Sequence, residues 1–429
     1  MRIIYLHQYF STRIGGTRSY EMAKRLVRNG HDVHMVTSDR DPDTNDRRPR
    51  WYCTDESGIQ VHWARIPYSN HMDFRERVKS FTAFAWFASH RAASLRGDLV
   101  FASSTPLTVA LPAVYAARRH RIPMVFEVRD LWPEVPIAMG ALKHPITRAA
   151  AGFLRDVAYR EAARVVALSP DIKSGVVARG YPEGRVAVIP NACDLDMFDV
   201  GPAPGRALRE QHAWLENRPL VVYTGALGRV NGVSYLARLA AEVSRIDPEV
   251  RFVTVGGGRE ESVVRGAAEQ LGVLGRNFFM LPSVPKHEIA AWLSAADIAT
   301  SVVIDLPELW ANSANKIFDA LAAGKPVAIN HLGWQADLFR ETRAGLLLDA
   351  RDLRRAATTL VTALRDRLWL DRAGAAARRL ARGPFNRDHL AAQLEQTLTE
   401  VAHHGTRPRR LEPGAPAAAG VPTRATLDP

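Results

Sequence analysis

Cysteine is nearly absent: Cys53 and Cys193 are the only two in 429 residues, and neither belongs to a C-x-x-C pair or a metal-spaced set with histidine. That excludes a disulfide-stapled scaffold and a zinc ribbon, and a reducing cytoplasm is the expected setting. Cys193, after Asn191-Ala192 and with no histidine beside it, reads as a small packed hydrophobe. Long apolar runs are missing as well. Nothing approaches the roughly 20 uncharged apolar residues that span a bilayer, and the run that opens the chain stops at His7-Gln8, too short for a signal-peptide core. The expectation is a soluble or peripheral protein. Helix-turn-helix, zinc-finger and ribonucleoprotein signatures are also lacking, so nucleic acid is not an expected partner. A dinucleotide fingerprint needs G-x-G-x-x-G directly after a strand; neither Gly15-Gly16-Thr17 nor Gly256-Gly257-Gly258-Arg259 supplies it. A nicotinamide dehydrogenase is therefore disfavoured.

What is present is length, apolar content and positive charge. At 429 residues and 47% hydrophobic the chain exceeds one core, and a net charge of +12 favours polyanions, whether anionic lipid or phosphorylated small molecules. Strand-like runs alternate with helical patterns, the signal of βα units and parallel sheets. One set occupies residues 2–6, 33–37, 59–63, 99–102, 124–128, 164–168 and 186–189; a second occupies 220–224, 251–255, 278–281, 298–302, 327–330 and 346–348. The breaker cluster Gly201-Pro202-Ala203-Pro204-Gly205 separates them and is read as continuing neither. The fold class is α/β, with two doubly wound parallel sheets facing a cleft. The first domain is placed at 1–200 and the second at 206–382. A helix at 385–404 is expected to pack back on the first domain, and a Pro-, Ala- and Gly-rich tail at 405–429 to be disordered.

Residues 74–96 join Arg75, Arg77 and Lys79 to the aromatic block Phe81-Thr82-Ala83-Phe84-Ala85-Trp86-Phe87. A basic amphipathic helix with Trp and Phe suits a membrane interface, and the same pattern suits a helix wedged against a sheet. Both readings stay open.

Ligands of open α/β sheets gather at the carboxyl ends of strands, where helix N-termini offer free N–H groups to anions. Four loops fit that position. Gly15-Gly16-Thr17-Arg18-Ser19 follows the first strand and leads into a helix. Glu127-Val128-Arg129-Asp130-Leu131-Trp132-Pro133-Glu134 leaves a buried strand carrying four ionisable groups. Gly225-Ala226-Leu227-Gly228-Arg229-Val230-Asn231-Gly232 lets a backbone approach phosphate beside a cation. Asn312 to Val327 then carries Asn315, Lys316 and Asp319, so that Asn315 and Asp319 share a helix face while Lys316 points about a quarter-turn away. Three of them also read as an ordinary turn or a solvated face, and residues 127–134 also read as a structural network of ion pairs.

All of these pieces except residues 225–232, with Leu6-His7-Gln8-Tyr9-Phe10, Ile189-Pro190-Asn191, Asp194 and Phe198, resemble the retaining glycosyltransferases of family 4 over roughly residues 1 to 400. They are most similar to bacterial members that build O-antigen, capsule and exopolysaccharide, including the fucosaminyltransferase-like subgroup. The resemblance implies a GT-B fold and transfer from a nucleoside-diphosphate sugar, UDP-sugar favoured, to a lipid-linked sugar or glycan acceptor. It implies retention of anomeric configuration and a cytoplasmic site at the inner face of a membrane, whose anionic surface is a further partner. The donor-binding positions it implies are Gly15, Gly16, Arg229, Asn231, Val284, Asn315, Lys316 and Asp319. Arg129, Asp130 and Glu127 are the catalytic candidates.

The chain departs from the family pattern at several places. Asp319 stands where a glutamate usually holds the ribose, and Ala311 where a second glutamate is usual, with Glu308 three residues before it. Ala226 and Asn231 occupy places usually held by Arg and Lys, which leaves Arg229 and Lys316 to hold the diphosphate. Arg129 stands where many relatives carry a histidine. With no D-x-D read in the cleft loops, the expectation is metal-independent chemistry without a cofactor. A nucleotide-sugar epimerase of the same fold and a noncatalytic nucleotide-binding scaffold are the alternatives.

Overall fold

The computed structural model describes residues 1–11, 18–39, 50–69 and 72–405. Gly15 and Gly16 lie outside them, as does the tail from residue 406. The first sheet has eight strands in the order β3-β4-β2-β1-β5-β6-β7-β8: β1 Arg2–Leu6, β2 Asp32–Asp39, β3 Trp51–Glu56, β4 Ile59–Arg65, β5 Leu99–Ser103, β6 Met124–Val128, β7 Arg164–Ala167 and β8 Val186–Val188. All pairings are parallel except β3 with β4. The second sheet is wholly parallel, in the order β11-β10-β9-β12-β13-β14: β9 Leu220–Thr224, β10 Arg251–Val255, β11 Phe278–Leu281, β12 Ile298–Ser301, β13 Val327–Ile329 and β14 Gly345–Leu347. The central strands are buried and mostly apolar because helices cover both faces of each sheet.

Residues 51–56 form a strand that carries no apolar-run signal in the sequence. β3 is the antiparallel edge of its sheet and only partly buried, so it lacks an apolar run. It is joined to β4 by Ser57-Gly58, with φ of 59° and 84°, the positive pair that a tight hairpin turn requires.

The breaker cluster is a correction. A helix, Ala203–Glu210, starts inside it, because proline is tolerated in a first helical turn, where its missing N–H leaves nothing unpaired. Gly205 belongs to the second domain: a Cβ there would meet the backbone of Ser294 and Ala295 at 2.5 Å, and its N–H donates to Ser294 Oγ.

One face of the first sheet is covered by the helices Phe74–Ser94, Ala110–His120 and Pro145–Glu161. The other is covered by Arg18–Arg28 and by Arg387–His404, whose Leu390, Leu394, Leu398 and Val401 complete that core. Arg25–Asp388, His31–Glu395 and Arg164–Glu400 pair along this last helix. The chain thus returns to the first domain beside its own outward crossing, where Cys193 N–H donates to Phe385 O at 2.8 Å. Cys193 is buried, and burial drives its thiol pKa far upward.

Of the aromatic block, Phe84 is core, Phe81 stacks on Tyr68, and Phe87 packs on the core under the Arg50 guanidinium, while Trp86 stands 65% exposed. Among the described residues no helix is long and apolar enough to cross a membrane.

The carboxyl ends of the two sheets meet. Ser169 Oγ donates to Ala311 O, Asn191 N–H to Ser313 Oγ, and Trp334 N–H to Asp171 Oδ2.

Candidate active site

The second domain supplies a cation with no anionic partner among the described residues. Lys316 sits in the first turn of the helix Asn315–Ala322, whose N-terminal residue Ala314 offers no side-chain cap. Its Nζ lies 2.8 Å from Tyr223 Oη and 3.3 Å from Asn231 Oδ1, over the Tyr223 ring. Both partners are neutral, and desolvation pulls the Lys316 pKa down to about 7. Asn231 Nδ2 and Tyr223 Oη both donate to Ala226 O, which fixes the 225–232 loop around the ammonium. That loop rests on the 256–258 loop backbone to backbone. A Cβ at Gly256 would fall 2.0 Å from Gly225 O, so the glycine run serves close packing.

Arg229 is not beside Lys316. It lies in a short 3-10 turn, exposed, and its Nη1 donates across the cleft to Met139 O at 3.4 Å. Asn231 rather than Arg229 touches Lys316, because the turn directs consecutive side chains to different sides.

Asn315 and Asp319 come together, as their i, i+4 spacing requires, in a small polar cavity shared with Arg18, Asn191, Lys286 and Arg387. Burial pushes the Asp319 carboxyl up to about 6, against the pull of Lys286, 3.9 Å away, and of Arg387. Val284, on the loop two residues before Lys286, is partly buried against the core below the second sheet. Ala311 does not replace the missing glutamate. It packs against the first-domain core, and its carbonyl holds Ser169 across the cleft.

On the first domain, Arg129 leaves β6 at the cleft, its N–H on Ser104 Oγ and its guanidinium Nη1 3.2 Å from His7 Nε2. If His7 Nε2 accepts from Arg129, its Nδ1 carries the proton and donates to Ser19 Oγ at 2.7 Å. The histidine of this site therefore comes from the end of β1. Asp130 accepts from Thr105 Oγ1, and burial raises its pKa while Arg129 opposes.

Glu127 lies apart from the other catalytic candidates. It is fully buried, accepts from Arg18 Nε at 2.9 Å and from Ser103 Oγ, and has no face on the cleft.

Sequence reasoning gave no role to His7, Ser19, Lys286, Arg387 or Tyr223. His7 was findable as a polar residue ending the buried strand β1. Lys286 and Arg387 arrive from distant elements and gave no local signal. The sequence has D-x-D triplets at 39–41, 41–43 and 194–196; the first two run outside the described residues, and Asp194 of the third is committed to Arg387 at 2.8 Å. Among the described residues no group of three or more His, Cys, Asp or Glu is placed to hold a metal ion.

Residues 15–192 match the family model described as a glycosyl transferase 4-like domain, and residues 218–366 match glycosyl transferases group 1. A D-inositol 3-phosphate glycosyltransferase of Nocardia farcinica is 28% identical over 67% of this chain and 64% of its own length. A GDP-mannose-dependent alpha-(1-6)-phosphatidylinositol monomannoside mannosyltransferase of Mycobacterium tuberculosis is 26% identical over 70% of this chain and 74% of its own. The chain thus spans under two thirds of the first of these relatives. Sucrose-phosphate synthase from Thermosynechococcus elongatus shares the fold, with a TM-score of 0.77 at 17% identity over 94% of this chain and 100% of that one.

Proposed function

The chain belongs to the GT-B glycosyltransferases, and on that premise we propose that it moves a sugar from a nucleoside-diphosphate sugar to a lipid-linked or glycan acceptor in cell-envelope polysaccharide synthesis, with retention at the anomeric carbon. The observation that carries this reading is Lys316, a partly buried ammonium held by neutral groups at the carboxyl end of the second sheet. Such a cation is costly until an anion arrives. A diphosphate between Lys316 and the free N–H groups at the start of the helix Asn315–Ala322 supplies one.

Breaking the anomeric C–O bond leaves negative charge on the phosphate and positive charge on the sugar. Lys316 and the helix N-terminus stabilise the first. Asp319 and Asn315 hold the ribose hydroxyls in the cavity with Lys286. Across the cleft, Arg129 and Asp130 orient the transferred sugar, and His7, oriented by Ser19, keeps Arg129 in place. The departing phosphate oxygen takes the acceptor hydroxyl's proton on the face it has just left, so configuration is retained.

The test is a calorimetric screen of UDP, GDP and ADP against wild type and Asp319→Asn. One nucleotide should bind wild type and weaken about tenfold or more in the variant, the order expected for loss of a charged hydrogen bond. Because the Asp319 carboxyl titrates near 6 and the hydroxyls need its ionised form, wild-type affinity should also fall as pH drops through 6, and Asp319→Asn should lack that fall. Equal affinity in both proteins removes Asp319 from the site. Consumption of a nucleotide sugar without any acceptor would point to an epimerase instead.

The charge on the leaving group is met by the chain's own groups, so the reaction is proposed to need no metal or cofactor. Turnover should survive EDTA unchanged. Collapse in EDTA with recovery on added magnesium or manganese refutes this part of the reading.

A further inference from the structure

We propose that Tyr9, Tyr68 and Phe81 form an aromatic wall at the cleft edge of the first domain, and that this wall stacks on the pyranose ring of the acceptor sugar. Three separate elements bring the rings together. Tyr9 lies three residues beyond β1 and Tyr68 three residues beyond β4, both at the carboxyl end of the first sheet, where ligands of open α/β sheets gather. Phe81 comes from the N-terminal half of the helix Phe74–Ser94. That helix begins at the same end and is tied to the segment after β4 by Ser80 Oγ, which donates to Pro67 O at 3.1 Å.

The rings stand against one another in a row. Tyr9 and Tyr68 have centroids 4.6 Å apart, and Tyr68 and Phe81 stack at 5.9 Å and 24°. Core packing does not account for them. Neighbouring Phe10 is buried in the core on one face of the sheet, whereas Tyr9, Tyr68 and Phe81 join neither of the cores that cover its faces and keep part of their surface in solvent. They form an apolar surface that the chain itself leaves open.

The wall adjoins the groups assigned to the transferred sugar. The His7 ring meets Tyr9 edge-on, with centroids 6.3 Å apart, and His7 Nε2 lies 3.2 Å from the Arg129 guanidinium. An acceptor must bring one hydroxyl to that point and rest its ring beside it. A pyranose suits the place, because its hydroxyls lie around the rim while its C–H bonds form apolar faces that an aromatic ring covers. The donor's ribose and diphosphate are assigned to Asp319 and Lys316 on the other domain, which leaves this wall to the acceptor.

Access agrees with that assignment. The hydrogen bonds across the cleft through Met139, Ser169, Asp171 and Asn191 leave segments that follow β6, β7 and β8. The wall follows β1 and β4 on the other half of the sheet, so an acceptor can reach it without parting those contacts. The inference rests on the proposed transfer for the identity of its ligand, but its test reads sugar binding and not turnover.

Methyl α- and β-pyranosides of glucose, galactose, mannose and N-acetylglucosamine would be titrated into wild type, Tyr68→Ala, Phe81→Ala and Tyr68→Phe. Binding would be read by saturation-transfer NMR, with and without the nucleotide selected by the calorimetric screen. At least one pyranoside should bind wild type, with transfer strongest at ring C–H protons. Each alanine variant should bind it about tenfold or more weakly, while Tyr68→Phe, which keeps the ring, should stay within about threefold. All four proteins should bind the nucleotide equally, which shows that they are folded and that the wall does not hold the base. No pyranoside binding by wild type, equal binding by all four proteins, or transfer confined to the methyl group overturns the inference. So does weakened nucleotide binding by an alanine variant that melts as wild type does, which would give the wall to the donor. Pyranoside binding that depends on the wall, in a protein that transfers no sugar, would strike the proposed reaction and leave the wall standing.

Discussion

Replacing Lys316 with methionine should lower turnover by about 10²–10³, the loss typical of removing one preorganised group that stabilises developing negative charge. Methionine keeps the apolar stem against the Tyr223 ring, so the fold should stay intact. The pH dependence makes the role specific. Free Lys316 titrates near 7, because burial disfavours its charged form and the Tyr223 and Asn231 oxygens only partly compensate. The unfolded chain therefore holds this proton more tightly, and the fold gains stability as pH rises from about 7 toward the ordinary lysine range. Diphosphate reverses the balance: it favours the ammonium, so binding takes up a proton whenever the free site is deprotonated. Affinity should weaken by roughly 20-fold from about pH 6.5 to 8.5 for a group titrating near 7. Lys316→Arg, charged throughout, should flatten that slope even where its geometry costs affinity. Calorimetry in buffers of different ionisation enthalpy reads the proton uptake directly. A wild-type slope that persists in Lys316→Arg would move the titrating group elsewhere.

The same residue marks how far sequence carries. That Lys316 and Asp319 leave one short helix in different directions follows from helical spacing, and the helix itself from the apolar run Ile317-Phe318 to Ala322 ending at Gly324. That a Tyr223 hydroxyl waits for the ammonium does not, because the two are 93 residues apart and meet only when β9 lies beside β12. Most strands were legible because burial on both faces demands a continuous apolar run; β3, an edge strand, carries no such demand. The helix at Ala203–Glu210 was hidden because proline and glycine mark breaks by propensity, and only packing on Ser294 and Ala295 shows that they start a helix here. Acid clusters mislead in the opposite direction. Glu127 and Asp130 lie three residues apart, yet Glu127 is still inside β6 and turns inward to Arg18, whereas Asp130 stands beyond the strand's last residue, Val128.

That inward turn predicts a large effect on stability. Arg18 and Glu127 are almost without solvent contact, and Arg18 also donates to the carbonyls of Ile189 and Pro190. The guanidinium thereby ties β6 to the segment whose next residue, Asn191, donates to Ser313 of the second domain. Glu127→Leu leaves a buried cation unpaired and should cost about 3–5 kcal/mol. At roughly 2–4 °C per kcal/mol, that lowers the melting temperature by about 10 °C. Arg18→Met/Glu127→Leu removes both charges and should recover part of that loss, since a buried ion pair is worth little against apolar residues of similar volume but the carbonyls that Arg18 served are left without a donor. Activity should not recover with it. The Ile189 and Pro190 carbonyls lose their donor, Asn191 loses its fixed entry to the cleft, and the two domains meet less accurately around the donor. Thermal unfolding and sugar transfer measured on the two variants separate these effects. A double variant as unstable as Glu127→Leu would mean that the pair is not a stability unit, and a double variant with wild-type turnover would mean that the tie to Ile189 and Pro190 does not set the cleft.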